Sequence, residues 1–346
     1  MAEQKIKLLG MTWGMLKEVA STMSLPAYAA GQMADWLYRK RVATINEMTN
    51  LSTTRREQLS SRYEIGAQPP VTTTTSSDGA IKYLFPVNNG RHFVESVYIP
   101  SDKRATLCVS SQAGCKMNCL FCMTGKQGFT TQLSANEMMN QIQTIPKNRE
   151  LTNIVMMGMG EPLDNIDELF KTLEILISGY GYGWSPKRIT VSTIGILPGL
   201  KRFLDENACH LAISLHSPFH AERLSLMPAE KVYPVDNIID LLHGYDFTHQ
   251  RRVSFEYILF EGFNDTKRHA IAISRLLKGL ECRVNLIRYH AIPNVDLRGC
   301  PEQKMEDFRD MLHALGIIST IRVSRGEDVF AACGMLSTVK NHENNT

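Results

Sequence analysis

The sequence predicts an α/β fold: a parallel sheet curled into a partial (β/α)6 barrel, with a small N-terminal helical domain and a short antiparallel β insertion. Three observations predict it. From about residue 105, short apolar strands alternate with helical stretches six times. Between 71 and 100, β-rich runs are broken by Asp-Gly and Asn-Gly. Before residue 65, apolar side chains recur at helical spacing. The 346 residues therefore divide into 1–65, a helical accessory domain; 66–104, an antiparallel hairpin region; 105–330, the barrel; and 331–346, a C-terminal loop with a frayed polar tail, HENNT.

In the first domain, 27–41 (AYAAGQMADWLYRKR) places Met33, Trp36 and Leu37 on one face and ends in Arg39-Lys40-Arg41. A second helix is expected over 53–62, begun by the serine and threonines of LSTTRREQL. Arg39, Lys40, Arg41, Arg55, Arg56 and Arg62 form either solvated helix faces or a phosphate-contacting surface. VTTTT, AIKYLFPV and HFVESVYIP follow as strands, and Asp78-Gly79 and Asn89-Gly90 supply the positive φ angles of tight hairpin turns. Barrel strands are expected at 106–110, 153–158, 188–192, 210–214, 253–259 and 283–287. Helices are expected near 134–145, 165–178, 197–206, 235–246, 266–278 and 302–314, with a further strand at 320–324. Six units fall short of the eight of a closed barrel, so an open one is expected.

Apolar residues make up 43% of the chain, enough for a sizeable core, and charged residues 21%. A net charge of +3 permits a nucleic-acid partner without requiring one. No apolar run reaches the length of a membrane span. The N-terminus has no charged head, apolar stretch and cleavage site of a signal peptide. The expectation is a cytoplasmic protein with no membrane partner and reduced thiols.

Eight cysteines are present, and three cluster in Cys115-Lys-Met-Asn-Cys119-Leu-Phe-Cys122, just after the first barrel strand. Thiolates in this C-x3-C-x2-C spacing can hold three irons of a 4Fe-4S cluster. The fourth iron is then open to the amino and carboxylate groups of S-adenosylmethionine (SAM). Chemistry in α/β barrels sits at the C-terminal ends of strands, which is where this loop falls. The alternative is a zinc site with a distant fourth ligand, but such sites usually use two C-x2-C pairs and no second pair exists. Gly158-Met159-Gly160-Glu161-Pro162 follows the second strand and resembles the radical SAM turn that binds the methionine amino group. Ser192-Thr193 follows the third strand and Ser214-Leu215-His216 the fourth. Any one of these could cap a helix; on successive strand ends they form a polar ring.

SSQAGCKMNCLFCMTGKQGF, NIVMMGMGEPL, RITVSTIGILPGL, LAISLHSP, FEYILFEGFND and RGEDVFAACG closely resemble the RlmN/Cfr group of radical SAM RNA methyltransferases. The likeness runs from about Ala27 to about Gly334, and GKQGF and NEMTNLS (46–52) are nearer to the RlmN side. The resemblance implies an RNA adenine-C2 methyltransferase that uses a 4Fe-4S cluster and two SAM molecules per turnover. Its substrates would be adenosine 2503 of 23S rRNA and adenosine 37 of tRNAs. The Cfr-like alternative is C8 of the same rRNA adenosine. The expected partners are these RNAs, contacted by the N-terminal domain, and a one-electron donor such as flavodoxin or ferredoxin; the expected state is a monomer.

Adenine C2 is electron-poor and cannot attack the methyl group of SAM, whereas a cysteine can. The resemblance gives that role to Cys333, which takes a methyl by direct displacement. A deoxyadenosyl radical from a second SAM then removes hydrogen from the S-methyl group, and the carbon adds to C2. Cys108 resembles the residue that breaks the resulting link through a transient disulfide with Cys333. Glu95 matches the proton acceptor. Gly160, Glu161, Ser192, Ser214, Leu215 and His216 are the implied SAM contacts. The family usually reads NLIPxN after the sixth strand; here Arg288 stands for the proline and His290 for the SAM-contacting asparagine. Cys209, Cys282 and Cys300 match no motif and are expected to be structural.

Overall fold

The computed structural model describes residues 5–248 and 252–338, so the HENNT tail lies outside the described residues. In the N-terminal module, β1 (Ile6–Lys7) pairs in parallel with β2 (Tyr63–Glu64). Three helices lie between them: α1 (Trp13–Thr22), α2 (Ala29–Ala34) and α3 (Thr53–Arg62). The helix expected over 27–41 is α2 continued as a π-helical segment over Asp35–Lys40. It stops where Arg41 takes φ 61, a left-handed conformation that cannot continue a right-handed helix. α3 has the expected bounds, and Ser52 Oγ accepts from Arg55 N at 3.4 Å as its cap. α1 had no individual expectation; it buries Leu16, Val19 and Ala20.

The antiparallel strands are β3 (Thr72–Thr75), β4 (Ile81–Val87) and β5 (His92–Ser101). Their turns use the expected residues: Gly79 has φ 86, and Asn88, Asn89 and Gly90 all have positive φ. β6 (Arg104–Cys108) pairs antiparallel with β5 on one edge and parallel with β9 (Asn153–Met156) on the other. Ribbon and barrel are therefore one sheet, and neither edge of β6 is left unpaired. Between β6 and β9, β7 (Gln112–Gly114) pairs antiparallel with β8 (Phe129–Gln132), and the three clustered cysteines lie between these two strands.

Parallel pairing continues through β10 (Ile189–Thr193), β11 (His210–Ser214), β12 (Val253–Leu259), β13 (Cys282–Arg288) and β14 (Ser319–Ile321). The ten-stranded sheet runs β14-β13-β12-β11-β10-β9-β6-β5-β4-β3, and among the described residues it does not close on itself, as expected of a partial barrel. β14 is shorter than the 320–324 expected, because the chain beyond Ile321 leaves the ladder once Arg322 N has bonded Leu286 O at 2.8 Å. Two short helices were not anticipated, α4 (Met123–Gln127) and, further on, α8 (His220–Leu226). The expected stretches hold α5 (Ala135–Gln143), α6 (Ile166–Ile177), α7 (Leu197–Glu206), α9 (Val235–His243), α10 (Lys267–Leu276) and α11 (Glu302–Ala314). No helix among the described residues is long and apolar enough to cross a membrane.

The N-terminal module docks on α5. Gly10, at φ 93, approaches so closely that a Cβ there would lie 2.4 Å from Asn136 N. Asn136 Nδ2 donates to Leu9 O (3.0 Å) and Gly66 O (3.1 Å). Asn140 accepts from Gln68 N at 2.8 Å. These carbonyls are buried by the docking and need partners. Asn136→Ala should therefore cost about 1–3 kcal/mol, read as a lower urea midpoint; an unchanged midpoint would show that the docking does not depend on these bonds.

Candidate active site

Two adjoining cavities open at the C-terminal ends of the parallel strands. The first, of about 150 Å³, is lined by Cys115, Cys119, Cys122, Gly160, Glu161, Ser192, Ser214 and His216, among others. The second, of about 210 Å³, is lined by Cys108 and by Thr106, Val155 and Ile287 from the sheet. Cys333, Arg322, Cys122, Met157, Gly158, Gly334 and the same Ile287 border both. The three clustered thiols, most of the expected polar ring and the two remaining motif cysteines therefore meet in one place.

Glu161 anchors the first cavity. Its carboxylate accepts from Leu163 N (3.1 Å) and Ile194 N (2.9 Å), which joins the ends of β9 and β10. Burial pushes its pKa up to about 7 against these hydrogen bonds. Gly160 has φ 100, and a Cβ there would lie 2.5 Å from the side chain of Gln112. The requirement for glycine thus comes from the neighbouring chain as well as from any ligand.

His216 sits at φ 55, an uncommon conformation for a side-chain-bearing residue. Its Nδ1 accepts from Ile258 N at 3.1 Å, so the proton of the neutral ring is on Nε2. Burial, then Arg223, lowers its pKa to about 3. The ring packs edge-on against Phe121 at 4.7 Å.

Among the described residues no three His, Cys, Asp or Glu side chains are gathered to hold one metal ion. A cuboidal cluster asks for a different arrangement, one thiolate for each of three irons. Burial pushes the Cys115 thiol up to about 12 and raises that of Cys119 as well, and the other cysteines of the loop add to both shifts. A bound iron cation would draw off these protons, since a coordinating thiol is deprotonated by its metal. Asn118, at φ 48, turns the loop so that all three line the cavity.

Cys333 is exposed to solvent, but within a concave site, so its thiol is still partly desolvated. That desolvation raises its pKa, and Arg322 opposes the rise. Cys108 is buried, and its thiol is pushed up to about 12 by burial and then by Cys333, again opposed by Arg322. Arg322 donates to Glu256 Oε2 at 3.0 Å, and Glu256 Oε1 accepts from Asn285 Nδ2 at 2.7 Å. Charged residues inside apolar strands, as in VSFEYIL and TIRVS, are the signal by which this pair could have been found in the sequence.

Other expected residues are placed differently. Leu215 is buried and lines neither cavity; it contributes its backbone, with N bonded to Glu256 O at 3.0 Å. His290 also lines neither cavity. Its Nδ1 meets Glu327 Oε1 at 3.1 Å and its Nε2 bonds Ser324 Oγ, so it ties β13 to the segment leading into Cys333. Glu95 is buried behind the Cys333 loop, with Oε1 3.0 Å from Lys82 Nζ and Oε2 accepting from Ser337 N at 3.0 Å. Burial raises its pKa.

Arg223 was not anticipated. It is fully buried and donates to Leu215 O (3.1 Å), Ile194 O (3.0 Å) and Ser214 O (2.9 Å) while pairing with the equally buried Glu230. On the same helix, Leu226 O accepts from Leu120 N at 2.8 Å, inside the cysteine loop.

A family model of the radical SAM superfamily matches residues 109–272, and one of the ribosomal RNA large subunit methyltransferase N-terminal domain matches residues 6–65. The chain is 66% identical over 337 residues to a probable dual-specificity RNA methyltransferase RlmN of Parabacteroides distasonis, covering 97% of this chain and 98% of the relative. It is 38% identical over 345 residues to the dual-specificity RNA methyltransferase RlmN of Marinobacter nauticus, covering 97% and 93%. A radical SAM methyltransferase of Sphaerobacter thermophilus superposes with a TM-score of 0.89 at 38% identity, covering 96% of this chain and 99% of that one.

Glu230→Gln would keep the shape of the buried pair but leave the Arg223 charge unpaired. It should cost about 3–5 kcal/mol in chemical denaturation; a loss below about 1 kcal/mol would show that the backbone carbonyls satisfy Arg223 without Glu230.

Proposed function

The chain belongs to the RlmN family of radical SAM RNA methyltransferases, and on that premise we propose that it methylates C2 of adenosine 2503 in 23S rRNA and of adenosine 37 in tRNAs, with Cys333 as methyl carrier. Superfamily membership implies SAM and a 4Fe-4S cluster. Cys115, Cys119 and Cys122 would hold the cluster, which when bound supplies the electron that cleaves SAM. Two SAM molecules are used per turnover, and flavodoxin or ferredoxin is the electron donor.

The observation that carries this reading is Cys333 at the border of both cavities. One sulfur can then face SAM on one side and a target base on the other. Cys333 takes the methyl on its sulfur and carries the carbon to adenine C2. Cys108, lining the base-side cavity, attacks the Cys333 sulfur as a thiolate, so that an S–S bond replaces the S–C bond; the departing carbon keeps the electron pair of that bond and takes up a proton, which completes the methyl group as the base leaves. Arg322 supports thiolate character at both sulfurs. Glu95 takes the C2 proton once Ser337 N releases its carboxylate. Glu161, Ser192, Ser214 and His216 orient SAM, and Leu215 holds that strand end through its backbone.

Expression of each form in cells lacking the gene tests the roles together. Wild type should restore 2-methyladenosine in rRNA and tRNA digests. Cys333→Ala should yield neither product nor crosslink. Cys108→Ala should accumulate a protein–RNA adduct that survives denaturation. Appearance of 8-methyladenosine, or normal turnover by Cys108→Ala, would overturn the assignment.

A further inference from the structure

A cleft of about 270 Å³ opens where the N-terminal module meets the barrel, lined by Arg39, Arg41 and Arg149 with Tyr38, Tyr182 and Gly179. It lies at the opposite end of the sheet from Cys333. Arg149 comes shortly before β9 begins and Tyr182 shortly before β10, whereas the cysteine cavities follow the strands' C-terminal ends. Strands of this length separate the two ends by roughly 15 Å.

Four cations gather here, Arg39, Lys40, Arg41 and Arg149. One carboxylate answers them: Asp35 lies 3.9 Å from Arg39 and 3.4 Å from Lys40. Among the described residues, Arg41 and Arg149 make no ion pair and bond only neutral oxygens. Arg41 donates to Asn148 O at 3.3 Å and to the Asn148 side chain; Arg149 donates to Arg39 O and Lys40 O, both at 3.1 Å. Arg41 also stacks on Tyr182 at 4.6 Å, and its Nε is buried with no hydrogen-bond partner. Burial, and the neighbouring charge of Arg149, lower the Arg41 pKa. Gly179 and Gly183 leave the cleft open, since a Cβ at either would meet nothing within 4 Å. Interface glue alone would call for matching carboxylates. Half-buried Arg41 and exposed Arg149, neither of them facing a carboxylate among the described residues, instead favour a bound anion with several acceptor oxygens.

We propose that this cleft binds a backbone phosphodiester of the RNA substrate, remote from the target adenine. The proposal rests on the reading of the chain as an RNA methyltransferase. It makes the docked module and the barrel jointly a clamp on folded RNA, with Arg149 contributed by the barrel side.

The test uses the full chain and full-length tRNA. Arg149→Gln should weaken tRNA binding by about 3- to 10-fold at low salt and lower the slope of log K against log salt by about 0.9 for each phosphate no longer neutralised. The rate at saturating tRNA should not change, and Arg149→Lys should restore most of the slope. Arg39→Gln removes an exposed side-chain bond to Gly179 O at 2.5 Å and the 3.9 Å ion pair with Asp35, and leaves both Arg149 bonds across the junction in place. It therefore guards against undocking in the first variant and should shift binding in the same direction. Unchanged affinity and slope in both variants would overturn the proposal. So would thermal protection by inorganic phosphate that both variants lose while their tRNA binding stays normal, since the cleft would then be a small-anion site. Failure of the underlying reading is distinct: wild type would form no methylated adenosine at all.

Discussion

Arg223 is a buried cation, and a buried cation is stable only when its donors are met. Its partners are not arbitrary. Ile194 and Ser214 give carbonyls from the ends of β10 and β11, Leu215 gives the next one, and Glu230 neutralises the charge. Helix α8 therefore cannot shift without carrying two strand ends with it. The same helix holds Leu120 through Leu226 O, between Cys119 and Cys122. The polar ring and the thiol loop are thus referenced to one rigid element, which is what chemistry sensitive to small displacements requires.

The second half of the site has no such frame of its own. Cys333 sits on irregular chain, and its position is borrowed from neighbours. Met123 N donates to Gly334 O (2.8 Å) and Thr124 Oγ1 to Leu336 O (2.7 Å), so α4, which begins directly after Cys122, grips the loop. Glu95 holds Ser337, while Asp78 and Ser76 at the β3–β4 turn hold Gly326 N (2.8 Å) and Asp328 (2.5 Å). The antiparallel ribbon thereby becomes part of the active site, and Ile99 of β5 also lines its second cavity. Any disturbance of the thiol loop passes through α4 to Cys333.

Local chemistry made much of this legible in the sequence. Apolar runs marked β9 to β13, Asp-Gly and Asn-Gly marked the turns with positive φ, and the cysteine spacing marked the loop between β7 and β8. Long-range bonds made the rest illegible. Glu95 finds Ser337 across 242 positions, and nothing near either residue announces it. Arg223 lies in a short helix whose apolar pattern is too brief to register, and its purpose appears only when backbone carbonyls from separate segments converge on it. His290 stands at a position the motif marks for SAM, yet Glu327 and Ser324 occupy its ring nitrogens. A motif fixes where a residue falls along the chain; the neighbours that the fold supplies decide which way its polar atoms are used.

The central claim is that the transferred carbon passes through the Cys333 sulfur and loses a hydrogen there before reaching RNA. Incubating the cluster-loaded enzyme with RNA and SAM whose methyl group carries only deuterium tests this directly. If the carbon is carried by Cys333 and one deuterium is removed on the way, the new methyl group of 2-methyladenosine, weighed by mass spectrometry, retains two deuteriums. Retention of all three would mean that the intact methyl passed to the base by displacement, and would contradict the account.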